Sequence, residues 1–173
     1  MDLLDIDPSK IYHYGSQGIN DHGWGCVYRN IQTLIALEST LPVPSLQTIQ
    51  RELGIAGSGG TSLWIEPVDA KRYLPWKQSL VVYTRVPHPE ISMLRTTMDQ
   101  VDHVVRDSAK CEEFLLSMLE KGQRVLIDDT IYSYILTGIV DNVYIYIDPH
   151  VQQNHIKQMP REQFYNRDVW MFL

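Results

Sequence analysis

The chain has 173 residues, 44% hydrophobic and 21% charged, which is typical of one globular domain with a buried core. The net charge of -6 and the lack of a Lys/Arg cluster argue against nucleic-acid binding, because phosphate backbones require a basic stripe. The apolar runs are too short to cross a bilayer. We therefore expect a single domain over residues 1–173, a monomer without a membrane span.

Three helices are predicted in the first half of the chain. From Trp24 the apolar residues recur at helical spacing until Pro42, which ends the pattern. Ser45 can cap a second, short helix that Gly54 ends, and a third is predicted over residues 64–73.

The second half of the chain is predicted to form mainly strands. A buried strand over residues 80–83 precedes residues 87–107, which remain unassigned, and an amphipathic helix that ends at Gly122. Later strands are predicted over residues 124–128, 132–140, 143–148 and 169–173. Asp141-Asn142 suits a two-residue hairpin turn. Helices followed by an antiparallel sheet predict an α+β fold.

The two cysteines, Cys26 and Cys111, lie in different surroundings, and no secretory signal is recognised at the start of the chain. We therefore interpret them as free thiols in a reducing compartment, the cytoplasm or the nucleus. Cys111 is flanked by Glu112 and Glu113, whose like charge disfavours a thiolate. It is predicted to be inert.

Cys26 is the candidate nucleophile. It follows Gly-Trp-Gly where a helical pattern begins, and the positive end of a helix dipole stabilises a thiolate. Glycine before the cysteine leaves room for a substrate backbone, so Trp24 and Gly25 are predicted to contact the substrate. A lone cysteine of this kind could equally be a buried packing residue, and a nearby base decides between the two.

The candidate base is His150, in the segment Asp148-Pro149-His150 at the end of a predicted strand. Residues two apart on a strand point to the same face, so Asp148 can accept a hydrogen bond from the His150 ring. This bond would fix the tautomer, while the other ring nitrogen faces the thiol, as in a catalytic triad. Taken singly, the segment is also common in turns.

Other candidate sites are weaker. A metal site formed by Asp148, His150 and His155 lacks a second cysteine and a known ligand spacing. The glycine-rich residues 57–60 lack the Lys-Ser/Thr ending of a phosphate-binding loop. No cofactor or metal is therefore expected. His22, His88 and His103 are interpreted as surface or structural residues.

Two motifs together resemble a known family. Residues 23–32 (Gly-Trp-Gly-Cys-Val-Tyr-Arg-Asn-Ile-Gln) and Asp148-Pro149-His150 are similar to the papain-like proteases specific for the ubiquitin-fold modifier. Residues 12–15 (Tyr-His-Tyr-Gly) and residues 64–65 (Trp-Ile) extend the similarity to about half of the chain. Distant motifs of matching type and order make the resemblance specific.

The resemblance implies a papain-like α+β fold whose N-terminal catalytic helix packs on an antiparallel sheet. It implies Cys26 as nucleophile, His150 as base, Asp148 as the partner that orients this base, and Tyr14 as an oxyanion donor. The implied reaction is removal of the C-terminal tail of a modifier precursor, cleavage of the modifier from lysines, or both. The implied partners are the modifier and its conjugates.

This chain also departs from the family pattern. Residues 128–130 (Asp-Asp-Thr) stand where the family usually has glycines. Asn30 replaces the common Ser or Thr, as in a related deubiquitinase branch, but that branch lacks the equivalent of His150. The chain resembles the short form of the family.

Two alternatives remain open. Autophagy cysteine proteases share Gly-Trp-Gly-Cys and Asp-Pro-His, but they carry Met-Leu-Arg where this chain has Val27-Tyr28-Arg29. The other alternative is a non-catalytic module that binds the modifier with the same fold.

Overall fold

The computed structural model of the protein describes residues 6–55, 63–91 and 96–173, so the predicted loop at residues 57–60 lies outside the described residues. The helices are α1 (Cys26–Glu38), α2 (Leu46–Glu52), α3 (Pro67–Tyr73), α4 (Ser108–Glu120) and the single turn α5 (Arg161–Phe164). Within these ranges, no helix combines the length and the apolar character that crossing a membrane requires.

The described strands form one sheet of seven strands. They are β1 (Val81–Thr84), β2 (His103–Val105), β3 (Val125–Asp128), β4 (Ser133–Val140), β5 (Val143–Ile147), β6 (Ile156–Pro160) and β7 (Val169–Phe172). Their spatial order is β2-β1-β7-β3-β4-β5-β6. All neighbours run antiparallel except β1 and β2, which are parallel. The α+β prediction is confirmed, with one parallel pair at the edge that was not predicted.

Helix α1 is the central element of one of the hydrophobic cores of the protein. It packs against strand β4 and against helices α2 and α3, and the side chains of its first ten residues are buried. Gly25 precedes it and Ser39 ends it. This packing places the first turn of α1, which carries Cys26, against the sheet.

Several local predictions are confirmed. The Ser45 side chain accepts a hydrogen bond from the Thr48 N–H at the start of α2. Asp141 and Asn142 have φ angles of 49° and 63°, as a two-residue hairpin turn of type I′ requires, and they join β4 to β5. These contacts lie within a few residues of one another, which is why sequence patterns predict them.

Three elements were missed, and several element boundaries differ from the predicted ones. Strand β2, strand β6 and helix α5 were not predicted. Both strands lie at edges of the sheet and depend on pairing with a distant neighbour, which a local pattern cannot reveal. Helix α3 begins at Pro67 rather than at residue 64, because Glu66 and Asp69 form a capping box there.

Candidate active site

Cys26 occupies the first position of α1 and is only 1% exposed. The Tyr14 hydroxyl and the backbone N–H groups of Ser133 and Val27 interact with its sulfur and favour the thiolate form. The thiol therefore lies between the helix start, the segment that carries Tyr14 and the beginning of strand β4.

The electrostatic surroundings of this thiol differ from the prediction. Burial, followed by the nearby carboxyl of Asp128, raises the pKa of Cys26 to about 12, although its hydrogen-bond donors act in the opposite direction. The helix start acts in the predicted direction, because the Val27 N–H favours the thiolate, but burial and the Asp128 charge outweigh this contribution. The resting group is a neutral thiol, and nucleophilic attack requires a base that removes its proton.

His150 and Asp148 are paired as predicted, but by a different geometry. Strand β5 ends at Ile147, so the two residues lie in the turn beyond it and not on one face of a strand. Asp148 Oδ1 is 2.7 Å from His150 Nδ1 and accepts the His150 backbone N–H at 2.9 Å. Burial opposes ionisation of Asp148, but these bonds outweigh it and lower the pKa of the carboxyl. A carboxylate with a low pKa holds the ring through Nδ1.

The second ring nitrogen of His150 remains available for proton transfer. Nε2 is buried and has no hydrogen-bond partner among the residues that the structure describes. The rings of Tyr14, Tyr132 and Tyr134 enclose the imidazole, with centroid distances of 5.2, 5.3 and 5.3 Å. A ring held through one nitrogen and enclosed by aromatic groups has a defined orientation.

Tyr14 connects the two halves of the site. Its backbone N–H donates to the Pro149 carbonyl at 2.8 Å, its ring lies edge to face with His150, and its hydroxyl interacts with the Cys26 thiol. The Gly23 N–H interacts with the same hydroxyl and opposes part of the rise in its pKa. Burial and the neighbouring thiol raise the pKa of Tyr14, so the phenol stays protonated and remains a hydrogen-bond donor.

A cleft of about 380 Å³ opens beside these residues. It is lined by Tyr14, His22, Gly23, Trp64, Ile131, Tyr132 and His150. His22, interpreted from the sequence as a surface residue, is exposed and also contributes to this wall. The cleft is large enough for a few residues of an extended chain.

The predicted substrate contacts Trp24 and Gly25 do not line this cleft. Trp24 is half-buried, and its ring packs edge to face on Tyr28 at 5.7 Å. A Cβ atom on Gly25 would lie 1.9 Å from Asp21 Oδ2, so the structure needs glycine there for internal packing. Gly23, two residues earlier, is the glycine that lines the cleft.

A buried ion pair below the site was missed from the sequence. Arg29 and Asp21 are both 0% exposed and form two hydrogen bonds, of 2.9 and 3.1 Å. Asp21 also accepts the Gly15 N–H, next to Tyr14, at 2.9 Å. The pair therefore ties the Tyr14 segment to α1, and loss of one partner would leave an uncompensated buried charge. The sequence did contain a signal for this ion pair, because Arg29 stands among apolar positions of the predicted helix.

Asp128 is the other residue whose role was not predicted, although the sequence showed it as a departure from the family glycines. It ends β3, is 3% exposed, and its Oδ1 accepts the Thr130 N–H at 2.7 Å. Burial, reinforced by the charges of Asp129 and Glu66, raises the pKa of Asp128 to about 8. This carboxyl belongs to the stretch that replaces the family glycines, and its charge opposes ionisation of Cys26.

We expect Asp128→Asn to stabilise the protein increasingly as pH rises. Because the folded-state pKa is raised to about 8, the folded protein binds a proton that the unfolded chain releases, and stability falls as pH rises towards 8. The asparagine variant lacks this loss, and its advantage should grow by about 2–4 kcal/mol between pH 5 and pH 9. Urea unfolding at a series of pH values measures the effect.

Cys26 alkylation provides a second readout of the same variant. Since the Asp128 charge disfavours the thiolate, iodoacetamide should label Cys26 faster in Asp128→Asn at pH 9. Asparagine can still accept the Thr130 N–H, so the turn is preserved. A stability difference that is constant across the pH series, with unchanged labelling, would contradict a buried Asp128 carboxyl close to the Cys26 thiol.

The remaining candidates lie outside this arrangement. Burial, together with the Glu112 charge, raises the pKa of Cys111 to about 12, in line with the prediction that it is inert. His155 stacks on His13 with a centroid distance of 4.9 Å. Among the described residues, no three His, Cys, Asp or Glu side chains are grouped so that they could hold a metal ion. The weakly supported site at Asp148, His150 and His155 therefore has no geometric basis.

The amino-acid sequence matches one protease family and several of its members. The model of the family described as "Peptidase family C78" matches residues 6–166. The chain is 28% identical over 162 residues to a "Probable Ufm1-specific protease" of Oryza sativa subsp. japonica, covering 84% of this chain and 23% of that protein. It is 41% identical over 66 residues to "Ufm1-specific protease 1" of Mus musculus, covering 34% of this chain and 30% of the mouse protein.

A solved structure shows the same fold. The crystal structure of UfSP from C. elegans superposes on 94% of this chain, with a TM-score of 0.63 and 21% sequence identity. The matched region is 32% of the C. elegans chain. In each of these three comparisons the matched part is less than a third of the other protein's length. The similarity in sequence spans nearly all of the described chain, including both halves of the candidate site.

Proposed function

The chain belongs to Peptidase family C78, and from this we propose that it is a cysteine protease acting at the C-terminal glycine of a ubiquitin-fold modifier. Cys26 is the nucleophile, His150 the base, Asp148 the residue that orients this base, and Tyr14 an oxyanion donor. The observation that carries the proposal is the cluster itself. Tyr14 contacts both the thiol and the imidazole, and Asp148 holds the imidazole through Nδ1.

The proposed reaction begins with proton transfer. His150 Nε2 accepts the proton of the Cys26 thiol as the sulfur attacks the glycine carbonyl carbon. The imidazolium then gives this proton to the leaving amine, the C–N bond breaks, and a thioester remains. Water attacks the thioester with His150 again as base, which releases the glycine carboxylate and restores the thiol. Asp148 stabilises the imidazolium in both halves of the reaction.

The oxyanion is stabilised from two sides. The Tyr14 hydroxyl, which interacts with the Cys26 thiol at rest, donates to the carbonyl oxygen after attack. The backbone N–H of Cys26, in the first turn of α1, is a second donor because first-turn N–H groups have no acceptor within their own helix.

Tyr14→Phe tests this role with little change in volume. We expect kcat to fall by about 10²–10³ with KM nearly unchanged, because the lost hydrogen bond forms in the transition state. The ring contact with His150 survives in phenylalanine. Steady-state kinetics on a modifier precursor measures the effect, and an unchanged kcat would assign Tyr14 a packing role only.

The substrate follows from the descriptions of the relatives. The rice and mouse proteins are described as Ufm1-specific proteases, and we extend this specificity to the present chain. Maturation of a precursor and removal from lysine side chains use the same attack on the glycine carbonyl. The catalytic groups suit any glycine-ended modifier, so selectivity among modifiers requires contacts with the folded body of the substrate.

Three precursors compared at equal concentration test the substrate. We expect cleavage of the precursor of the ubiquitin-fold modifier and little or none of ubiquitin or of the autophagy modifier. Preferential cleavage of the autophagy precursor would favour the autophagy-type protease, and preference for ubiquitin would favour the deubiquitinase branch. Binding without cleavage of any precursor would favour the non-catalytic module.

A further inference from the structure

A buried hydrogen bond joins helix α1 to strand β4 close to the candidate site. Asn30 lies one helical turn after Cys26 on α1, so the two side chains are neighbours on the same face of the helix. Asn30 Nδ2 donates to Ser133 Oγ at 2.7 Å, and both residues are 0% exposed. Ser133 is the first residue of β4. The bond therefore fixes the start of this strand relative to the helical turn that carries the nucleophile.

Ser133 and its two neighbours in the sequence all contact the candidate site. The Ser133 backbone N–H interacts with the Cys26 sulfur and favours the thiolate. The rings of Tyr132 and Tyr134, on either side of Ser133, both lie 5.3 Å from the His150 ring. The segment that Asn30 holds therefore touches the nucleophile through its backbone and the base through its rings.

The group that opposes the thiolate is held independently of this bond. Asp128 pairs with Ser133 across β3 and β4, but it also pairs with Met171 of β7. Its Oδ1 accepts the Thr130 N–H at 2.7 Å. Loss of the bond between α1 and β4 would therefore displace the N–H that favours the thiolate and leave in place the carboxyl that disfavours it.

Stability alone does not account for an asparagine at position 30. Asn30 Oδ1 is buried and accepts no hydrogen bond from the residues that the structure describes. Burial of a polar atom without a partner is destabilising, and an apolar side chain of similar size would avoid the penalty. Local departures of this kind from the rules of core packing are typical of functional positions.

We propose that Asn30 is a positioning residue, which acts through Ser133 to hold the catalytic sulfur and imidazole in the arrangement that proton transfer requires. This inference rests on the proposed function, because it assumes that Cys26 is the nucleophile and His150 its base. It gives a role to a residue that departs from the Ser or Thr of the family pattern.

Two substitutions remove the two partners of the bond. Asn30→Leu keeps most of the side-chain volume and removes both the donor and the unmet acceptor, whereas Ser133→Ala removes only one oxygen. We expect each to lower kcat for a modifier precursor by about tenfold with KM nearly unchanged. Because both changes act on one bond, the double variant should be no slower than the slower single variant. Steady-state kinetics of the parent, the single variants and the double variant measures this coupling.

Labelling of Cys26 with iodoacetamide at pH 9 separates positioning from a loosened fold. Displacement of the Ser133 N–H disfavours the thiolate, so labelling should be slower than in the parent by about threefold to tenfold. A loosened fold would instead uncover the thiol, which is only 1% exposed in the parent, and speed its labelling. Urea unfolding of Asn30→Leu should have a midpoint no lower than that of the parent, because the unmet acceptor is gone.

Thr137→Val serves as the control within the same strand. Thr137 is a buried residue of β4 whose hydroxyl donates to the Ile145 carbonyl at 3.1 Å. Its substitution also removes one buried hydrogen bond, but it should leave kcat and labelling unchanged. Parental kcat in either single variant, faster labelling, or losses that add in the double variant would overturn the positioning role while the proposed function stands. If the parent cleaves no precursor and Cys26 resists a modifier electrophile, both fall.

Discussion

Cys26→Ser should lower turnover of the modifier precursor by at least about 10³-fold while precursor binding is retained. A serine hydroxyl is a far weaker nucleophile than a thiol whose proton an imidazole removes. Because Cys26 is buried and serine is close to it in size, the site should keep its shape. Single-turnover cleavage measures the loss, and a binding titration with the precursor measures what remains.

Cys111→Ser is the control for this substitution. Cys111 is also buried, and its thiol interacts with the Tyr165 hydroxyl, an interaction that a serine hydroxyl can replace. Turnover should stay within a small factor of the parental value. If instead the Cys111 variant stopped turnover and the Cys26 variant did not, the nucleophile has been assigned to the wrong residue.

Asp148→Asn should lower kcat by about 10²–10⁴-fold. The asparagine oxygen can still accept the His150 backbone N–H, which is 2.9 Å from Oδ1 in the parent, so the turn is preserved. The imidazolium loses its charged partner, and the ring can adopt the tautomer in which Nε2 carries the proton and cannot act as a base. A pH series of kcat and KM measures the change.

Asp168→Asn is the matched carboxylate control, because Asp168 is exposed and pairs with Arg85 outside the candidate site. It should leave the pH profile unchanged. Parental turnover by Asp148→Asn across the pH series would show that Asp148 only shapes the turn.

The predictions from sequence succeeded where the signal was local. The Ser45 cap and the Asp141-Asn142 hairpin each depend on neighbours a few residues away. The pairing of Asp148 with His150 was also local, although its geometry is that of a turn and not of a strand. Resemblance to a family, not spacing, brought Tyr14 and Cys26 to the same site.

The predictions that failed concerned features that depend on contacts between distant parts of the chain. The thiol pKa is set by the sheet that buries Cys26 and by Asp128, which approaches from β3 more than 100 residues later in the sequence. Gly25 was interpreted as room for substrate, but the space belongs to Asp21, which pairs with Arg29. Burial and charge at a site are tertiary properties, so a local pattern predicts the residue type and not its environment.

The most direct test of the proposed function is mass spectrometry after reaction with a ubiquitin-fold modifier that carries a C-terminal electrophile. The electrophile takes the place of the scissile carbonyl and traps the attacking sulfur. We expect one adduct, with the mass of protein plus modifier and mapped to Cys26, that is retained in Cys111→Ser and lost in Cys26→Ser. An adduct on Cys111, or no adduct at a modifier concentration that saturates binding, would contradict the proposed function.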